Sequence, residues 1–160
     1  MSAATAELVW AELAQVPDPE LPVVSLVDLG VVHTVRVEGG TAAVELLPTF
    51  VGCPALELMR SAVAERLAPL AERVEVSVTF AEPWTSERIS QEGRRKLREA
   101  GIAPPAGGPP LIQLRPLRAV PCPNCGATGT RLQNPFGSTQ CRSQHWCPEC
   151  RQPFEAFKPV

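Results

Sequence analysis

Apolar positions divide the chain into segments of recognisable period. Val9, Leu13 and Val16 fall at i, i+4 and i+7, a single stripe that predicts a helix over residues 5–16. Pro17 and Pro19 stop it, and Asp18-Pro19-Glu20 has the chemistry of a turn. Residues 22–29 show no clean period, and Asp28-Leu29-Gly30 reads as a cap or turn. Val31-Val32-His33-Thr34-Val35-Arg36-Val37 is dense in β-branched residues, which suit a pleated surface. Glu38-Gly39-Gly40-Thr41 then predicts a hairpin, because glycine tolerates the positive φ of a tight turn, and residues 42–48 return as the second strand. Leu56, Met59, Val63, Leu67 and Leu70 share one side of a helix predicted over 54–70. Pro54 suits its first turn, where a missing N–H is no loss. Val74-Glu75-Val76-Ser77-Val78-Thr79-Phe80 alternates apolar and polar, the pattern of a half-buried strand. A third helix is expected over 87–100, with Thr85 or Ser86 as N-cap and Gly101 past its end.

The composition then changes. Ala103-Pro104-Pro105-Ala106-Gly107-Gly108-Pro109-Pro110 can sustain neither a helix nor a central strand, and 11 of the 18 prolines lie from Pro104 onward. Three segments are expected: a domain over 1–102, a Pro/Gly-rich linker over 103–116 and a cysteine-rich module over 117–160. A strand–helix–strand step returns parallel, so the first domain should be α+β, a small mixed sheet packed with helices. No GxGxxG or GxxxxGK[ST] motif points to a nucleotide-binding α/β fold.

Charge sharpens the division. Residues 1–116 carry 10 Lys+Arg against 15 Asp+Glu, while residues 117–160 carry 5 against 2. The net charge of -2 gives no global case for nucleic acid. The opening Met1-Ser2-Ala3-Ala4-Thr5-Ala6-Glu7 lacks the basic start of a signal peptide, and no stretch approaches the ~18 apolar residues of a membrane span. The expectation is a cytoplasmic protein with no membrane partner, whose six cysteines bind metal or react rather than form disulfides.

Five of those cysteines lie in the tail. Cys122-Pro123-Asn124-Cys125 and Cys147-Pro148-Glu149-Cys150 are two CxxC knuckles separated by 21 residues. Two thiolates in one tight turn hold one side of a metal ion, and a second knuckle completes the tetrahedron. The tail has few large apolar residues, Leu132, Phe136, Trp146, Phe154 and Phe157, too few to fold without a staple. A structural zinc on Cys122, Cys125, Cys147 and Cys150, in a β-ribbon, supplies one. Cys141 is an alternate ligand or a small buried residue, and His145 beside Trp146 reads as a surface group or a support for the ligands. The tail's basic residues are scattered, with no aromatics interleaved as a stacking platform requires, so nucleic acid is not an expected partner.

The remaining cysteine, Cys53, sits where a strand should meet a helix. A thiol at a helix N-terminus is stabilised as thiolate, and Gly52 allows a tight turn or a close approach. A reactive or metal-binding thiol and a small packed residue both remain open. Two histidines exist to serve it as a base, His33 and His145; His33 reads as an ordinary strand residue with no carboxylate near it in sequence. Asp18, Glu20 and Asp28 are loop carboxylates for which turn and cap roles are the commoner reading.

The run Asp18-Pro19-Glu20-Leu21-Pro22-Val23-Val24-Ser25-Leu26-Val27-Asp28-Leu29-Gly30-Val31-Val32, with Thr49 four residues before Cys53-Pro54, resembles the domain of SufT-type iron–sulfur assembly factors. Pro83-Trp84-Thr85, Gly101-Ile102-Ala103-Pro104-Pro105, Cys122-Pro123-Asn124-Cys125-Gly126, Phe136-Gly137-Ser138-Thr139-Gln140-Cys141 and Cys147-Pro148-Glu149-Cys150 resemble the PaaD (PaaJ) family, accessory proteins of the phenylacetyl-CoA epoxidase system. The resemblance implies a non-catalytic factor that helps mature an iron or iron–sulfur centre of a multicomponent di-iron monooxygenase in phenylacetate degradation. It makes Cys53 the contact for transient iron or a cluster, with Thr49, Asp18 and Glu20 in support. Implied partners are the oxygenase and reductase components or the iron–sulfur assembly machinery, and a homodimer is left open. The competing functions are a thiol-dependent enzyme using Cys53 and a zinc-ribbon adaptor for nucleic acid.

Overall fold

The computed structural model describes residues 4–105 and 119–158. These fall into two compact units, one running to Trp84 and including Arg88–Gly93, the other formed by Thr85–Glu87 and the residues from Arg94 onward. The class is α+β, with a mixed sheet in each unit.

In the first unit, α1 (Ala6–Leu13) begins at Thr5, whose hydroxyl accepts the Leu8 N–H. It turns Val9 and Leu13 fully inward. Strand β1 (Val32–Glu38) pairs antiparallel with β2 (Thr41–Leu46) through the expected Gly39-Gly40 turn, with φ of 53° and 77°. A chain of L-residues adopts such angles only at a cost, which is why the turn needs glycine. Helix α2 (Leu56–Leu67) then carries the chain to β3 (Arg73–Val78), which lies parallel to β2. Strand β2 is therefore central, and its Ala42, Val44 and Leu46 face the core with Met59, Val63 and Leu67 of α2. Each of the Val, Leu and Met side chains among them contributes about 1.5–3 kcal/mol on burial. Val24, Leu26, Leu29 and Val31 close the same core from the segment before β1.

All three helices differ from expectation. Helix α1 ends at Leu13 rather than Val16, because the chain tightens there into turns, with the Gln15 N–H on Glu12 O and the Val16 N–H on Leu13 O. Helix α2 starts at Leu56 with Ala55 as cap residue, not at Pro54, because residues 50–56 are spent in turns: Cys53 N–H bonds to Phe50 O and Leu56 N–H to Cys53 O. The third predicted helix is broken. A 3-10 turn (Ser86–Arg88) precedes α3 (Gln91–Glu99), and the cap is Ser90 rather than Thr85 or Ser86. Ser90 Oγ accepts the Gly93 N–H at 2.9 Å while the Ser90 N–H is held by Asp28 O at 2.8 Å. The anchor on Asp28 is non-local and invisible in a periodicity. Strand β3 also ends earlier than expected, leaving Phe80 58% exposed.

In the second unit, β4 (Ile102–Ala103), β5 (Arg131–Asn134), β6 (Arg142–Cys147) and β7 (Gln152–Phe157) form a sheet in the order β4-β7-β6-β5. The β5-β6-β7 meander is antiparallel, and β4 adds to β7 in parallel. Cys122, Cys147, Phe154, Ala103 and Ala156 make a small buried cluster. Residues 106–116 of the expected linker lie outside the described residues.

Candidate metal centre

The two knuckles converge. Cys122 Sγ lies 3.7 Å from Cys150 Sγ, Cys125 Sγ lies 3.6 Å from Cys147 Sγ, and all four sulfurs are within 4.8 Å of one another. A tetrahedral ion with arms of ~2.3 Å spaces its sulfurs about 3.8 Å apart, so the group has the dimensions of a zinc tetrathiolate. Local backbone builds each half. Gly126 (φ 76°) donates its N–H to Cys122 O, and the Cys122 N–H reaches Ala127 O. Arg151 takes a left-handed φ of 56° just after Cys150, the same station that Gly126 holds just after Cys125.

The electrostatics favour a cation. The backbone N–H of Cys150, with help from neighbouring thiols and Glu149, draws the Cys147 thiol down to about 7. Burial and the adjacent sulfurs push the Cys150 thiol up to about 12. Four thiolates this close repel one another, and a divalent ion among them removes that repulsion. The donor set thus fits the metal that the knuckles predict.

Cys141 is not part of this group. Its sulfur is 3.1 Å from Thr139 Oγ1 and its carbonyl accepts the Lys158 N–H. Of the two readings of His145, a surface group or a support for the ligands, the surface is excluded: the ring is buried, stacks on Phe154 at 5.4 Å and places its Nε2 3.0 Å from Ser143 Oγ. Burial lowers its pKa, because a charged ring there loses its water. The alternation of β6, with Ser143, His145 and Cys147 all inward, carries the signal that sequence reasoning missed.

In the first unit, Cys53 is half-buried at the end of an exposed loop, next to Phe50 (44% exposed), Val51 (76%) and Gly52 (φ 86°). It precedes the cap residue of α2 by two positions. Thr49 and Glu20 are half-buried. Asp18 is buried and accepts the Glu20 N–H at 2.9 Å, an Asx turn. Asp28 and Ser25 exchange reciprocal bonds of 3.0 Å, each side chain accepting the other's N–H, in the manner of a capping box. Among the described residues, Cys53, Asp18 and Glu20 do not form a second metal-sized group. His33 Nδ1 lies 3.4 Å from Glu82 Oε1, a carboxylate supplied from beyond β3 that no sequence neighbourhood could reveal.

Comparison with known proteins follows the same division. Residues 107–158 match the model of the PaaD zinc beta ribbon domain, and residues 6–78 match that of the iron-sulfur cluster assembly protein. A protein of Escherichia coli (strain K12), provisionally named as a component of 1,2-phenylacetyl-CoA epoxidase, is 39% identical over 95% of this chain and 92% of its own length. The chain belongs to the PaaD family. The Fe-S protein maturation auxiliary factor YitW of Bacillus subtilis (strain 168) is 35% identical over 57% of this chain and 91% of its own. A DUF59 domain of unknown function from Bacillus anthracis has a similar structure, with a TM-score of 0.54, 32% identity, and coverage of 57% of this chain and 90% of its own. The PaaD ribbon match spans the four clustered cysteines, and the assembly-domain match spans Asp18, Glu20, Thr49 and Cys53. Among the described residues no helix is long and apolar enough to cross a membrane.

Proposed function

We propose that this PaaD-family chain is a non-catalytic maturation factor that helps load an iron or iron–sulfur centre of a phenylacetyl-CoA epoxidase. Its ribbon holds one structural zinc on Cys122, Cys125, Cys147 and Cys150, and its first domain presents Cys53 to the cargo. The observation that carries this reading is the setting of Cys53, a thiol beside an exposed apolar loop in a domain whose relatives are named as Fe-S maturation factors.

Cluster irons are held by four protein ligands in ordinary sites, so one thiolate binds cargo only with ligands from elsewhere. Cys53 supplies one sulfur; cysteines of the client oxygenase or reductase components, of the assembly machinery, or of a second copy of this chain supply the rest. Such a site exchanges ligands readily, which is what transfer requires of it. Thr49, Asp18 and Glu20 shape the approach, Asp18 by holding the turn that carries Glu20. The ribbon serves as a docking module in the cytoplasm. Nucleic acid is a poor candidate for its partner: Arg142, one of the tail's few cations, is engaged with Glu155 at 2.7 Å.

The test is Cys53→Ala, co-expressed anaerobically with the epoxidase components. The variant should melt within ~1 kcal/mol of the parent, since at most a small half-exposed cavity is left, and the partner components should lose iron. A variant that melts normally and still yields iron-replete partners would falsify the assignment.

A further inference from the structure

Building on the zinc reading above, we propose that the ribbon is a peroxide-sensitive switch: oxidation joins the two knuckles, Cys125 to Cys147 and then Cys122 to Cys150, and releases the zinc.

The four sulfurs are not equivalent. Cys125 is exposed, whereas Cys122 and Cys147 belong to the buried cluster with Phe154, Ala103 and Ala156, and Cys150 packs against it half-buried. A small oxidant from solvent therefore meets Cys125 first. The contact that Cys125 makes at 3.6 Å leads across to Cys147 in the other knuckle. Closing that contact to the ~2.05 Å of a disulfide needs a modest side-chain movement. The second cross-knuckle contact, Cys122 to Cys150 at 3.7 Å, stands ready for the same chemistry.

The chemistry balances with hydrogen peroxide as the two-electron oxidant. The Cys125 thiolate attacks one peroxide oxygen, the O–O bond breaks, and a sulfenic acid forms as hydroxide leaves. The Cys147 thiolate attacks the sulfenic sulfur, the S–O bond breaks, and a second hydroxide leaves as the disulfide forms. Two sulfurs have given up two electrons, and two protons convert the hydroxides to water. Zinc left with two thiolates has lost half of its tetrahedron and dissociates. A second peroxide then oxidises Cys122 and Cys150 in the same way. Because both bonds run between knuckles, they tie together the same two chain segments that the metal joined. The oxidised ribbon therefore stays closed and is ready to be reduced and reloaded.

The experiment uses the full chain carrying Cys53→Ala and Cys141→Ala, so that every thiol oxidised belongs to the ribbon. Zinc content is measured first; then hydrogen peroxide is added, released zinc is followed with a colorimetric chelator, and disulfides are mapped by non-reducing mass spectrometry. The expected result is zinc release that is complete at about one peroxide per zinc together with the Cys125–Cys147 crosslink, about one further peroxide consumed as Cys122–Cys150 forms, and recovery of zinc binding after a dithiol reductant. Zinc present at the start but retained overturns the switch alone, and so does a Cys122–Cys125 or Cys147–Cys150 link, or irreversible sulfinic acid. A chain that never holds zinc overturns the zinc centre and the switch together.

Discussion

Trp84 Nε1 donates a hydrogen bond of 2.9 Å to the Leu29 carbonyl, across 55 residues of sequence. Both residues are almost fully buried. The bond ties the segment after β3 to the turn that enters β1, the turn that Ser25 and Asp28 hold from the other side. Replacing Trp84 with Phe keeps a ring but strips the Leu29 carbonyl of this donor. The expected loss is about 1–3 kcal/mol, read by denaturant unfolding of the first unit. A loss below ~0.5 kcal/mol would show that the bond contributes little to stability.

Gly93 lies inside α3, where alanine would ordinarily stabilise an exposed helix by about 1 kcal/mol. Here an added Cβ would fall 2.7 Å from Asp28 O and 3.1 Å from Asp28 Cβ. Backbone cannot yield as a flexible side chain can. Gly93→Ala is thus expected to lower the melting temperature despite its better propensity, while Gly39→Ala, with open space around it, should suffer from its positive φ alone.

Arg151 occupies a left-handed conformation where the first knuckle has glycine. Arg151→Gly should stabilise the zinc-loaded ribbon by about 1 kcal/mol, the relief of left-handed strain less the added freedom of the unfolded chain. Gly126→Ala should do the reverse. Chelator titration against melting temperature would read both, and a destabilised Arg151→Gly would show that the side chain has a contact worth more than the strain.

Zinc removal by a strong chelator should unfold the strands around the centre while leaving the first unit intact. The buried cluster there is Cys122, Cys147, Phe154, Ala103 and Ala156, two of its five members being proposed zinc ligands. Without metal the cluster loses its largest stabilising contribution. Amide signals of His145 and Trp146 should collapse in an NMR spectrum, and those of Val44 and Val63 should persist. Coincident loss of both sets would show that the two units unfold together.

Local chemistry was legible in the chain itself. The Gly39-Gly40 hairpin, the α1 stripe, the half-buried alternation of β3 and the two CxxC knuckles all depend on residues a few positions apart, and period or spacing reveals them. Even the four-sulfur group follows from spacing, because each knuckle positions two sulfurs and one metal needs four. What tertiary structure decided are the partnerships made across long stretches of chain. Asp28 O anchors Ser90 and so decides where α3 begins; Glu82 comes to His33 from the far side of β3; β4 joins β7 in parallel. His145 turned inward because β6 buries one face, and a histidine with Phe154 and Ser143 to meet is better placed there than its polarity suggests. Cys53 shows the division most sharply. Its position between strand and helix could be read from the residues, but the start of α2 at Leu56 was decided by the turns of residues 50–56, since backbone hydrogen bonds taken by a turn are no longer available to a helix.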